Sequence, residues 1–186
     1  MSERIQDDDL RKIPGDNLEF LVVGLNHRTA PVEIRERLSL NKDQLPNALS
    51  SMNSYGVGGV ILSTCNRSEF YTLDTTENGS GTGADRVKEF LVERFGISLL
   101  DVDRYLYVYQ GYECIHHLFR VASSLDSMIL GEEQIIGQVR DAYESATNSG
   151  TAQGPMAQLF QQALRVGRRV RRETGISRNA LSVSRA

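Results

Sequence analysis

Cys65 is the side chain best placed to do chemistry. It stands in the run Thr64-Cys65-Asn66-Arg67, directly after the apolar stretch Val57 to Ser63. A strand end is a rigid place to hold a reactive group at the rim of a cleft. Arg67 lies two residues on. If the chain is still extended there, both side chains leave the same face. The guanidinium would then sit beside the thiol, where a cation favours the nucleophilic form, or would hold a substrate carboxylate through paired hydrogen bonds. The plainer reading is a small buried hydrophobe and a surface charge, and composition and spacing alone favour it. Cys114 falls on the apolar face of a helical pattern and takes the plainer reading. The two cysteines and the three histidines, His27, His116 and His117, form no Cys-x-x-Cys or His-x-x-x-His spacing, so no metal site is expected.

The elements that must position Cys65 follow from periodicity. Leu18 to Leu25 reads as a strand, and Val57 to Ser63, Glu69 to Leu73 and Tyr105 to Tyr109 as three more. Pro31 suits the first turn of a short helix over Val32 to Leu38. Asn41 can cap a second helix whose stripe is Leu45, Ala48, Leu49 and Met52. Ala84 to Phe95 is helical by pattern, and 74–83 is a polar, glycine-rich loop. Everything after Gly111 reads as helix, with one polar break from Asn148 to Pro155. Cys114, Leu118, Val121, Ala122 and Leu125 form one stripe. Ile135, Val139, Ala142, Tyr143 and Ala146 form another, and Met156, Leu159, Phe160, Ala163, Gly167 and Val170 a third. A β/α half followed by a helical half predicts an α+β fold rather than alternating α/β.

Composition narrows the class. The 186 residues allow one domain plus an extension, and the net charge of −3 leaves no global basic field. Two cysteines and the absence of an apolar leader argue against a disulfide framework. No apolar run approaches the roughly 20 residues of a membrane helix, so a reducing, cytoplasmic home is expected. Seven arginines and a single acid, Glu173, lie between Ala163 and Ala186. They read as the solvated side of a helix or as a face for RNA phosphates.

Three segments carry a family resemblance. They are Gly24 to Val32 with Arg35-Glu36, Leu62 to Glu69, and His117 through Ser127 to Val139. In this order and at these separations they resemble the signature segments of glutamyl-tRNA reductase, and Arg168 to Ser184 is similar to the family's run into a long linker helix. The match covers nearly all of the chain beyond residue 18. It implies that Cys65 attacks the ester joining glutamate to tRNA, giving a glutamyl thioester that NADPH then reduces to glutamate-1-semialdehyde for tetrapyrrole synthesis. By motif position, Thr64, Asn66, Arg67, Ser127, Glu132, Glu133, Gln134 and Gln138 are glutamate-pocket residues. His117 matches a histidine important for activity. Ser124 stands where glycine is common, and Glu133 where proline is frequent.

The resemblance also implies a small antiparallel βαββαβ sheet, ferredoxin-like, with helices on one face and a helical subdomain. The expected division is a disordered tail over 1–17, the catalytic domain over 18–155, and the start of the linker helix over 156–186. The chain then stops before a nicotinamide-binding or dimerisation domain. The run Gly79 to Ala84 is rejected as a dinucleotide loop, because no βαβ unit follows it. This piece is therefore expected to accept glutamate on Cys65 and lose it to water, without reduction, and to be a monomer where the full enzyme is a dimer. A non-catalytic tRNA-binding or regulatory module and a tRNA-independent thiol acyl hydrolase are the competing readings.

Overall fold

The computed structural model describes residues 18–75 and 82–176. The expected tail over 1–17, most of the glycine-rich loop and the last ten residues lie outside the described residues. Four strands, β1 (Leu18–Asn26), β2 (Gly59–Ser63), β3 (Arg67–Thr75) and β4 (Tyr107–Gln110), form one sheet in the order β2-β3-β1-β4. Every pairing is antiparallel, with Val22 opposite Tyr71 and Tyr109, and Ile61 opposite Phe70. Helices α1 (Val32–Arg37) and α2 (Leu45–Ser54) join β1 to β2. Helices α3 (Gly83–Phe95) and α4 (Leu99–Tyr105) join β3 to β4, and α5 (Gly111–Ala122), α6 (Gln134–Asn148) and α7 (Gly154–Glu173) follow. This is the expected α+β fold with βαββαβ order.

Strand alternation sorts the core into two layers. Phe70 points to the side of α3, where its ring meets Phe90 and Phe95 edge-on at centroid distances of 6.0 and 6.3 Å. Its neighbour Tyr71 points the other way and meets Phe160 of α7 at 5.2 Å. The helical half thus covers the second face, and β1 is buried on both sides from Phe20 to Asn26. The anticipated apolar stripes are the buried ones, except that Tyr143 and Val170 are half-buried and Leu125 lies 38% exposed beyond the end of α5.

Two local readings need correction. Tyr105, expected to open a strand, instead closes a helix over 99–105, where the Ser98 hydroxyl accepts from Asp101 N at 3.1 Å and caps the first turn. Strand β4 therefore starts at Tyr107. The stretch 123–133 is not helical either. Ser124, at φ 60°, turns the chain out of α5 in the left-handed conformation that glycine adopts without strain. Helix α7 runs from Gly154 to Glu173, with Thr174 extended, so 156–173 of the expected linker stretch is helical, and 177–186 lie outside the described residues.

Candidate active site

Cys65 sits at the tip of the β2–β3 hairpin, not in a strand. Thr64 N donates to Arg67 O at 2.8 Å, and the Thr64 hydroxyl accepts from Asn66 N at 3.2 Å and Arg67 N at 3.1 Å. A threonine hydroxyl standing in for a backbone acceptor is a common way to tighten such a turn. Asn66 O accepts from His27 N at 2.9 Å, which ties the tip to the end of β1. From the other side Arg35 of α1 donates its Nη1 to the Cys65 carbonyl at 2.6 Å. The turn is fixed on three sides, while the thiol itself is exposed and free.

The condition for pairing Cys65 with Arg67 is not met. Arg67 is the first residue of β3 and only 2% exposed. Its Nη1 donates to Glu69 Oε1 at 2.8 Å and Asp126 Oδ2 at 3.3 Å, and its Nη2 donates to the Asp126 carbonyl at 2.5 Å. A guanidinium so engaged has two carboxylates already, and the expected grip on a substrate carboxylate would have to break them.

Glu69 is the hub of this buried network. His117 Nε2 lies 2.8 Å from its Oε1, Tyr107 OH donates to Oε1 at 2.6 Å, and Tyr71 OH donates to Oε2 at 2.7 Å. Burial pushes the Glu69 carboxyl up, but the Arg67 charge and the His117 and Tyr107 contacts outweigh it and hold the group well below the usual carboxylate range. The same burial, reinforced by the Glu69 charge, raises the Tyr71 and Tyr107 phenols, so both remain donors. His117 is thereby held away from the thiol and does not line its pocket.

The pocket at Cys65 is lined by Thr64, Asn66, Arg67, Ser127, Glu132, Ile135 and Gln138. The hairpin tip, the 123–133 loop and the first turns of α6 converge there from positions distant in sequence. Two expected members stay outside. Glu133 and Gln134 are exposed at the start of α6, and the buried Ile135 takes the wall position. Gln134 and Gln138 are four apart, yet a rise of about 6 Å separates them along the helix axis, and only Gln138 reaches the pocket.

The loop bearing Ser127 and Glu132 is pinned by a residue whose role the sequence did not reveal. Arg171 of α7 turns inward and donates through Nη2 to the Glu132 carbonyl, to Ser124 Oγ at 3.0 Å and to Gly131 O at 3.3 Å. The other α7 arginines described, Arg165, Arg168, Arg169 and Arg172, are exposed, and the latter two pair with Glu173. Arg178 and Arg185 lie outside the described residues. Arg35 and Asp126 fall within the family segments but take no role from the sequence, since no local pattern links them to Cys65. Glu69 did carry a signal: Arg67, Glu69 and Tyr71 alternate on one face of a strand between apolar neighbours.

No group of three or more His, Cys, Asp or Glu among the described residues could hold a metal. No described helix is long and apolar enough to cross a membrane. The described strands pair only antiparallel, so there is no parallel βαβ turn for a pyrophosphate. Thr82 instead caps α3, its hydroxyl accepting from Asp85 N at 3.2 Å.

A ferredoxin-like sheet that presents a free cysteine from a hairpin tip into a polar pocket, backed by a helical subdomain, defines a thiol-bearing α+β catalytic domain. The family described as "Glutamyl-tRNAGlu reductase, N-terminal domain" matches residues 23–174. The chain belongs to the glutamyl-tRNA reductase family, as its N-terminal catalytic domain. It is 52% identical over 169 residues to the glutamyl-tRNA reductase of Carboxydothermus hydrogenoformans, covering 90% of this chain and 37% of that protein. The corresponding protein of Pelotomaculum thermopropionicum is 51% identical, with the same coverage. The solved glutamyl-tRNA reductase from Methanopyrus kandleri superposes with a TM-score of 0.68 at 34% identity, over 88% of this chain and 37% of that one. The chain thus spans little more than a third of the length of these relatives.

Proposed function

We propose that this domain takes the glutamyl group of glutamyl-tRNA onto Cys65. The thiolate attacks the ester carbonyl, a carbon–sulfur bond forms, and the carbon–oxygen bond to the tRNA breaks, releasing the ribose hydroxyl after it gains a proton. The observation that carries this reading is the exposed Cys65 thiol at a rigid tip, opening into a pocket whose other walls are mostly hydrogen-bonding side chains. Thr64, Asn66, Ser127, Glu132 and Gln138 suit an amino acid with an ammonium and a carboxylate. Arg67 supports the pocket from behind, and His117 acts on the far side of Glu69 rather than on the thiol.

Reduction of the thioester to glutamate-1-semialdehyde, the entry to tetrapyrroles, draws on an NADPH site outside the described residues, reached through the α7 segment. The full-length protein would act in the cytoplasm as a homodimer, with this domain monomeric by itself.

The test mixes the protein with tRNA carrying radiolabelled glutamate, quenches in acid, and compares Cys65→Ser. Label retained by the wild type, released by hydroxylamine and missing from the variant is the expected outcome. Bound tRNA with neither label nor Cys65-dependent ester hydrolysis would replace this reading with a binding module.

A further inference from the structure

Beside the Cys65 pocket lies a second, larger groove, formed by β4, α5 and the turn after β1. Its floor and walls are aromatic. Tyr107 and Tyr109 stack at 5.0 Å with 22° between their planes, and Tyr109 also packs on His117 at 5.0 Å. On the outer wall Tyr112 and His116, one turn apart on α5, lie parallel within 5° at 5.9 Å. Tyr112 is 67% exposed, so core packing does not explain its ring. Arg28 and Arg120 also line the groove, and Arg28 keeps 56% of its side chain in solvent. Of the two acids there, Asp126 is neutralised by Arg28 at 3.0 Å and by Arg67 at 3.3 Å, which leaves Glu113 on the exposed wall.

The two concavities share a wall. Arg67 lines the thiol pocket, and its partner Asp126 lines the groove. An acyl group presented to Cys65 as an ester must carry its alcohol portion directly beside that pocket. If the alcohol is the ribose at the 3′ end of an RNA, an unpaired nucleotide has to lie within one bond of the reacting carbon. Solvent-exposed aromatic rings beside guanidinium groups are what unpaired nucleotides bind.

We propose that this groove receives the unpaired 3′-terminal nucleotides of the aminoacyl-tRNA, with bases stacked against the Tyr112–His116 wall and phosphates drawn by Arg28 and Arg120. The proposal rests on the Cys65 reading for its orientation but not for its test. Because stacking is tolerant of base identity, the groove supplies affinity and placement rather than tRNA identity.

The experiment measures fluorescence anisotropy of a 5′-labelled, unpaired RNA tetranucleotide ending in CCA. Wild type, Tyr112→Phe, Tyr112→Ala and Tyr112→Ala/His116→Ala are compared at two salt concentrations. Both residues are exposed, and unchanged thermal melting verifies the fold. Wild type and Tyr112→Phe should bind alike, with affinity that falls as salt rises. Tyr112→Ala should bind roughly tenfold more weakly, the loss expected for one stacked base. No binding by the wild type, or binding that the double variant keeps within about a factor of two, would overturn the proposal. So would full displacement of the oligonucleotide by an equal concentration of NADPH, which would make the groove a dinucleotide site. If the variants lose the oligonucleotide but Cys65 takes no glutamate from glutamyl-tRNA, the groove stands as an RNA site and the Cys65 reading falls. If Cys65 is glutamylated equally in wild type and double variant at subsaturating substrate, the groove proposal falls and the Cys65 reading stands.

Discussion

Arg67 and Glu69 form an ion pair at 2.8 Å with both side chains closed off from solvent. Two residues apart on β3, they leave the same face of the strand. Glu69 takes three further contacts from His117, Tyr107 and Tyr71, and Arg67 takes Asp126. A buried charge is tolerated only when its remaining hydrogen-bonding capacity is filled, and both members meet that condition. The pair fastens α5 and the loop after it to the sheet immediately behind the Cys65 turn.

Glu69→Gln tests this directly. The amide keeps the shape but leaves the Arg67 charge undercompensated, and loss of one partner of a buried pair costs about 3–5 kcal/mol. Chemical denaturation should show a loss on that scale. A change below about 1 kcal/mol would mean that Asp126 alone satisfies Arg67.

The same carboxylate makes stability depend on acid. Its pKa is held down in the fold, so its contribution is complete above the unfolded Glu value of about 4.3 and is lost as pH falls below that point towards the folded value. Urea midpoints from pH 7 to pH 2.5 should fall below about pH 4.5 more steeply for the wild type than for Glu69→Gln. Parallel curves would remove Glu69 as the source.

The two cysteines should differ sharply towards alkylation. Cys114 is 1% exposed, and burial, then the nearby Glu69 charge, push its thiol up. Iodoacetamide should add one group to the native chain, and none to Cys65→Ser until it is denatured. Intact-mass spectra with two adducts on folded wild type would contradict the buried setting of Cys114.

Gly167 lies where α7 crosses α5. A Cβ there would sit 2.5 Å from the Ala122 carbonyl oxygen, which is backbone and cannot yield cheaply. Glycine to alanine within an exposed helix stabilises by about 1 kcal/mol. Here the clash should reverse the sign, with Gly167→Ala losing roughly 1–3 kcal/mol and several degrees of melting temperature. An unchanged or higher melting temperature would show that the helices separate freely.

Arg171→Ala should free the loop that carries Ser127 and Glu132. Hydrogen exchange at residues 124–132 should quicken while the β1 and β3 amides stay protected. Arg171→Lys should restore part of the protection, since an ammonium can reach one or two of the three acceptors but not all. Uniform quickening across the sheet would point to global destabilisation instead.

Residues near one another in sequence determined much of this protein on their own. Alternation and helical spacing located the β1, β2 and β3 strands, helix α3 and the stripes of α2, α6 and α7, because burial of one face imposes a local period. The motif around Cys65 and the Ser127 to Gln138 segment carried the family, and the structure brings most of those residues to one pocket. What the tertiary structure alone decided depends on contacts between distant segments. Local spacing allowed Arg67 to be a surface charge or a neighbour of Cys65, yet its guanidinium is buried because Asp126, 59 residues away, and Glu69 capture it. Arg35, Arg171 and the groove beside Tyr112 follow the same rule. A charged side chain goes to whichever partner the fold places within reach while excluding water, and that choice is made by packing across the chain rather than by the residues beside it.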